Sequence, residues 1–84
     1  MTMDKIADLK RMQWHSRRGM LELDLLLVPF SQEKLPALND DDVRLYKKLL
    51  EQEDQDLFSW LIDKETVDDA ELKKMVAMVL GRAP

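Results

Sequence analysis

Eighty-four residues with no cysteine and a formal net charge of −4 describe one small domain that must bury its apolar surface efficiently, without disulfides or thiolate metal sites, in a composition suited to a reducing cytoplasm. The longest apolar stretch, Leu25 to Val28 with its neighbours, is far short of the roughly 20 residues that cross a bilayer. The opening "MTMDKIADLK" has neither a hydrophobic signal core nor the Arg- and Ser-rich, acid-poor character of a transit peptide, so the expectation is a chain that works where it is made or has already been trimmed.

In chain order, Ile6, Leu9 and Met12 recur at helical spacing behind Asp4, which stands where an N-cap would, and predict a first amphipathic helix from Asp4 to Trp14. A second helix is expected from Arg17 to about Gln32. It reads as apolar nearly all round (Met20, Leu21, Leu23, Leu25, Leu26, Leu27, Val28, Phe30), the pattern of a central helix enclosed by others. Pro29 removes a backbone donor and should kink or end that helix nearby, and "SQEKLPALNDD" reads as loop.

"NDDDVRLYKKLLEQ" predicts a third helix capped by Asn39 or Asp40, with Val43, Tyr46, Leu49 and Leu50 inward and its acids at the positive end of the helix dipole. "DQDLFSWLID" predicts a short fourth helix capped by Asp54 or Asp56, with Leu57, Phe58, Leu61 and Ile62 inward. A fifth should begin at Asp68, which has capping-box spacing to Glu71, carry an apolar stripe of Leu72, Met75, Val76, Val79 and Leu80, and stop at Gly81. No segment alternates as a strand would. The expected fold is an all-α compact bundle of about five helices, with residues 1–84 as a single domain.

Nothing in this chain reads as catalytic. His15, the one histidine, lies about 100° around a helix from Ser16, so the two do not face each other as base and nucleophile would. "NDDD" lacks the spaced ligands and glycine of a calcium loop and is better explained by capping, and two glycines in the whole chain make no phosphate loop. The six methionines are read as core fillers. Trp14 among Arg11, His15, Arg17 and Arg18 looks like a small basic patch, but the domain is acidic, which argues against nucleic acid.

Charge is nevertheless uneven. Lys5, Lys10, Arg11, Arg17 and Arg18 against Asp4 and Asp8 make the first nineteen residues +3, leaving −7 for the remainder. One positive end suits an acidic partner surface. The step "RRGMLELDLLLVPF" concentrates the question. If helical, Arg18 and Glu22 share a face, continued by His15 and Arg11. A glycine inside a helix costs about 1 kcal/mol relative to alanine, and an Arg-to-Glu pair in this order returns only a few tenths. Gly19 therefore either makes the turn between the first two helices or leaves room for another backbone to approach, flanked by a cation and an anion.

These residues resemble the signature of the succinate dehydrogenase assembly factor 2 family. Its RGxxE motif falls on Arg18, Gly19 and Glu22, preceded by Arg17 and followed by Asp24, and the resemblance continues through the apolar run ending in "PF" and the later "DLFSWL". It implies an accessory protein without catalytic residues or a stably bound cofactor of its own. Such a protein promotes covalent attachment of FAD, through the flavin's 8α carbon, to a histidine of the flavoprotein subunit of succinate dehydrogenase, and in bacteria of fumarate reductase too. The implied partner-binding set is Arg17, Arg18, Gly19, Glu22 and Asp24, to which the charge and the shared helix face add Arg11 and His15, with no nucleic acid and no membrane insertion. The family has also carried a toxin-antitoxin label, which would make the chain an antitoxin-like interaction module.

Overall fold

A computed structural model describes residues 3–81, with side chains from residue 6 onward. Five α-helices form the bundle: α1 (Met3–His15), α2 (Leu21–Glu33), α3 (Asp40–Leu50), α4 (Asp54–Leu61) and α5 (Ala70–Val79), with a single 3-10 turn, Leu35–Ala37, after α2. There is no strand among the described residues, and no helix of these residues is long and apolar enough to cross a membrane. Helix α2 touches α1, α4 and α5, while α3 packs along α5 and against α1. The core they enclose is built on Leu23, Leu27, Tyr46, Leu49, Leu57, Leu61 and Met75, all without solvent exposure.

Helix α1 begins at Met3, so Asp4 lies inside it, and the side chain expected to cap it is outside the described residues. The larger correction concerns α2. It starts at Leu21 rather than Arg17, with Met20 as its N-cap, because Gly19 at φ +83° leaves the helical region of backbone space. Nor is α2 enclosed on all sides. Only Leu23, Leu27, Phe30 and Ser31 are buried, whereas Leu21 is 68% and Leu25 65% exposed. An apolar run of this density has no period of its own, and the neighbours α1, α4 and α5 decide which leucines are covered.

Pro29 does not end α2, which continues to Glu33, so Ser31–Glu33 are helical rather than loop. Pro29 and Leu25, the residue whose carbonyl loses its helical donor, are both exposed, and on that face water can take the carbonyl's place. Gln13 of α1 adds a donor near the end of α2, Nε2 to the Ser31 carbonyl at 3.2 Å.

The cap of α3 is Asn39, whose side chain accepts from the Asp42 amide at 2.8 Å. Leu45 joins Tyr46, Leu49 and Leu50 as a buried residue of that helix, while Val43 only packs at the core's edge. At α4 the expected aspartate cap is absent. Glu53 occupies the N-cap position with no side-chain bond, and Asp54 is drawn elsewhere. Leu57 and Leu61 are buried, with Phe58 and Ile62 packed at the margin.

Helix α5 is capped by Asp69 rather than Asp68. The Asp69 carboxylate accepts from the amides of Glu71 and Leu72 at 2.9 and 3.0 Å and also meets Lys48 of α3 at 2.9 Å. That second bond, which local spacing does not show, favours Asp69 over its neighbour. Leu72, Met75, Val76 and Val79 are buried as expected, Leu80 only partly. Gly81, at φ +76°, follows the last helical turn in the left-handed conformation that ends helices.

Candidate functional site: the Arg-Gly turn

The turn joining α1 to α2 rests on a buried hydroxyl pair. Ser16 closes α1, with its backbone N–H and its Oγ both bonded to the Met12 carbonyl, at 2.9 and 2.8 Å. Its Oγ lies 2.6 Å from Tyr46 Oη of α3, which also sits 3.4 Å from the Leu27 carbonyl of α2. Burial pushes the Tyr46 phenol up to about 12, against the Ser16 hydrogen bond and the Arg18 charge, which both act to lower it. Ser16 thus spends its hydroxyl inside the bundle, while His15 next to it is exposed.

Arg18 ties this turn to all of the first four helices. Its backbone N–H donates to Asp24 Oδ1 of α2 at 2.7 Å. Its guanidinium points inward: Nε donates to Asp54 Oδ1 at the start of α4 at 2.7 Å, Nη1 to the Leu50 carbonyl at 3.0 Å and the His15 carbonyl at 3.3 Å, and Nη2 to the Gln52 carbonyl at 2.9 Å. Leu50 and Gln52 end α3 and link it to α4, where carbonyls have lost their helical donors. A planar guanidinium with five N–H groups can serve several such acceptors at once. The Arg18 side chain is accordingly only 17% exposed.

Arg18 and Glu22 therefore form no ion pair. The helical spacing that would have joined them does not apply, because Gly19 separates the two helices. Glu22 is exposed on the first turn of α2 and makes no hydrogen bond or ion pair among the described residues. Gly19 is exposed, and a Cβ built on it would meet no atom within 4 Å. Its positive φ shows that it makes the turn, and the open space shows that its backbone is accessible from outside. The two readings of Gly19 are compatible.

Of the other residues singled out in the sequence, Arg11 and His15 lie on one exposed edge of α1, lining a groove with Lys47 and Glu51 of the α3 side. Arg17 is exposed beside Trp14, Lys10 and Gln32, and Trp14 is 70% exposed. Asp24 works within the turn, as the acceptor of the Arg18 amide. The residue missed was Asp54. Its position before an apolar run reads as a helix cap, and nothing local signals a partner thirty-six residues away.

Residues 10–83 match the family model described as flavinator of succinate dehydrogenase. The chain belongs to this family. It is similar to the FAD assembly factor SdhE of Pseudomonas aeruginosa, at 56% identity over 76 residues covering 90% of each chain. Similarity to the proteins of the same name from Pseudomonas savastanoi pv. phaseolicola, at 57%, and Pseudomonas putida, at 55%, has the same coverage. The flavinator match spans the whole Arg-Gly turn together with Asp54 and α5. The site thus lies inside the part of the chain that carries the family relationship.

Proposed function

We propose that this chain promotes covalent attachment of FAD to the flavoprotein subunit of succinate dehydrogenase by docking on the flavoprotein and favouring the conformation in which attachment occurs. The observation that carries the reading is the Arg-Gly turn. An open glycine backbone and, three residues on, the exposed carboxylate of Glu22, which has no partner among the described residues, follow Arg18 in a turn that Arg18 holds. Membership of the flavinator family supports it.

In this reading the chain is an accessory protein that brings no catalytic residue and binds no cofactor stably. FAD and the residue it joins both belong to the flavoprotein. A factor of this kind accelerates the step by favouring a near-attack arrangement in its partner, which is worth several kcal/mol when reacting atoms are held in place. The gain requires that the factor bind the productive conformation of the flavoprotein more tightly than the others. Glu22 supplies a charge-assisted contact, Gly19 permits close approach, and Arg11 and Arg17 supply a cationic margin with His15 beside Arg11. We place this activity in the bacterial cytoplasm, acting from one helical domain, with fumarate reductase as a second flavoprotein target.

The test is reconstitution. Apo-flavoprotein is incubated with FAD with and without this chain, and covalent flavin is read by in-gel fluorescence. Faster covalent flavin formation in the presence of the chain is the expected result, and equal rates in both arms would overturn the proposal.

A further inference from the structure

We infer that Asp54 is a positioning residue: acting through Arg18, it holds the Arg-Gly turn in the one shape that presents Gly19 and Glu22 to the flavoprotein. This rests on the proposed function and names a residue of that site on a different helix, far from the turn in sequence.

Gly19 is the least constrained residue type at the most demanding point of the turn, since glycine populates both signs of φ about equally. Something outside Gly19 must hold it at φ +83°. On its C-terminal side the chain enters α2 at once, with the Asp24 amide bonded to the Met20 carbonyl at 2.9 Å. On its N-terminal side the constraint is Arg18, fixed at its amide by Asp24 and at its guanidinium by α3 and α4. Among the guanidinium's acceptors in the described residues, Asp54 is the sole side chain and the sole charge. Charge-assisted bonds of this kind are the shorter and stronger ones, and this one is 2.7 Å long.

Asp54 is not part of the core. Its side chain is 42% exposed, and the buried residues of α4 are Leu57 and Leu61. Removing its carboxylate should leave the apolar packing in place and release Arg18 on one side. The turn then samples shapes other than the docking-competent one. Apparent affinity falls in proportion to the competent fraction, so a fraction reduced to a tenth weakens docking about tenfold. Once the complex has formed, the turn is ordered and the maximal rate is unchanged.

The experiment compares the parent with Asp54→Ala and Asp54→Asn. Stimulated flavin attachment is titrated against factor concentration, amide exchange is followed at Arg18 and Gly19 by NMR, and folding is checked by circular dichroism and thermal melting. Asp54→Ala is expected to keep the helical spectrum, to exchange faster at the Arg18 amide, and to need about ten times more protein for half-maximal stimulation at an undiminished maximal rate. Asp54→Asn, which keeps an acceptor oxygen for Nε without the charge, should fall between the two.

An Asp54→Ala protein with the parent's half-maximal concentration would overturn the inference, as would a loss confined to the maximal rate. If Asp54→Ala fails to fold, Asp54→Asn decides, and a folded Asp54→Asn indistinguishable from the parent in both exchange and titration would overturn it. A parent chain that gives no stimulation defeats the proposed function and the docking role of Asp54 with it. Stimulation by the parent together with an indifferent Asp54→Ala defeats this inference alone.

Discussion

The hydroxyl oxygens of Ser16 and Tyr46, thirty residues apart, lie 2.6 Å from each other in a part of the bundle that solvent does not reach. The pair joins the end of α1, three residues before Gly19, to the middle of α3. Its importance is one-sided: Ser16 Oγ keeps a bond to the Met12 carbonyl at 2.8 Å, whereas loss of Ser16 Oγ strands the buried Tyr46 hydroxyl.

Ser16→Ala should therefore destabilise the protein by about 1–3 kcal/mol, the usual cost of leaving a buried hydroxyl without its main partner. The remaining acceptor for Tyr46 Oη, the Leu27 carbonyl at 3.4 Å, is too far to replace the lost bond. A urea titration followed by circular dichroism should show the midpoint falling with the slope unchanged.

Tyr46 also predicts an alkaline transition. Burial raises its folded-state value from 10.0 to about 12. The folded state thus holds this proton more tightly than the unfolded chain does. The contribution is fully present below pH 10 and is lost as pH rises from there through about 12, with a total on the order of 3 kcal/mol. Tyr46 is the one tyrosine in the chain, so tyrosinate absorbance reads it directly. It should appear in the folded protein only near the upper end of that interval. Lys48, raised by its bonds to Asp69 and Glu71, loses its stabilising charge in the same alkaline direction. Tyr46→Phe should therefore flatten the pH dependence without abolishing it.

Leu27 and Leu25 should separate sharply although they are two residues apart on one helix. Leu27 is fully buried and Leu25 is 65% exposed. Leu27→Ala should cost about 2–5 kcal/mol, a large share of what a small domain holds. Leu25→Ala should stay within about 0.5 kcal/mol. Equal urea midpoints for the two variants would show that α2 does not face the core as described.

At the site, Glu22→Ala should melt as the parent does, because Glu22 has no partner among the described residues to lose, while its stimulation of covalent flavin formation drops strongly. In Gly19→Arg the new Cβ meets no atom within 4 Å, yet the change forces a side chain into left-handed backbone at a cost of about 1–2 kcal/mol. It should remain folded with a modestly lower melting temperature and fail in the flavin fluorescence assay. A folded Gly19→Arg protein that supports the parent's rate would remove this turn from the docking surface.

The cationic margin makes a kinetic prediction. Arg11 and Arg17 are exposed, so their attraction for an acidic flavoprotein surface is screened over about 8 Å at physiological ionic strength. Association should slow as salt rises, and the double variant Arg11→Gln with Arg17→Gln should associate more slowly and with a shallower salt dependence. Arg18, whose guanidinium is turned inward, should contribute little to that slope. Stopped-flow association at low and high salt checks both statements.

The sequence by itself determined the helical class, the order of the five helices, most of the apolar stripes, the stop at Gly81 and the family motif. These follow from spacing and capping chemistry that act over a few residues, as at Asn39, where cap and capped amide are three positions apart. It did not determine where α2 begins, which of its leucines are covered, or which aspartate caps α5. A run as apolar as Leu21–Phe30 fits a helix with any face inward, and only the positions of α1, α4 and α5 bury Leu23 and Leu27 while leaving Leu21 and Leu25 outside. The partner of Arg18 was hidden for the same reason. Spacing of four proposed Glu22, but the glycine between them breaks the helix, and folding brings Asp54 from thirty-six residues away to 2.7 Å. Pairings over that separation leave no local periodic trace, because they depend on the packing of whole helices, and here that packing separates the residue that holds the turn, Arg18, from the residue left facing outward, Glu22.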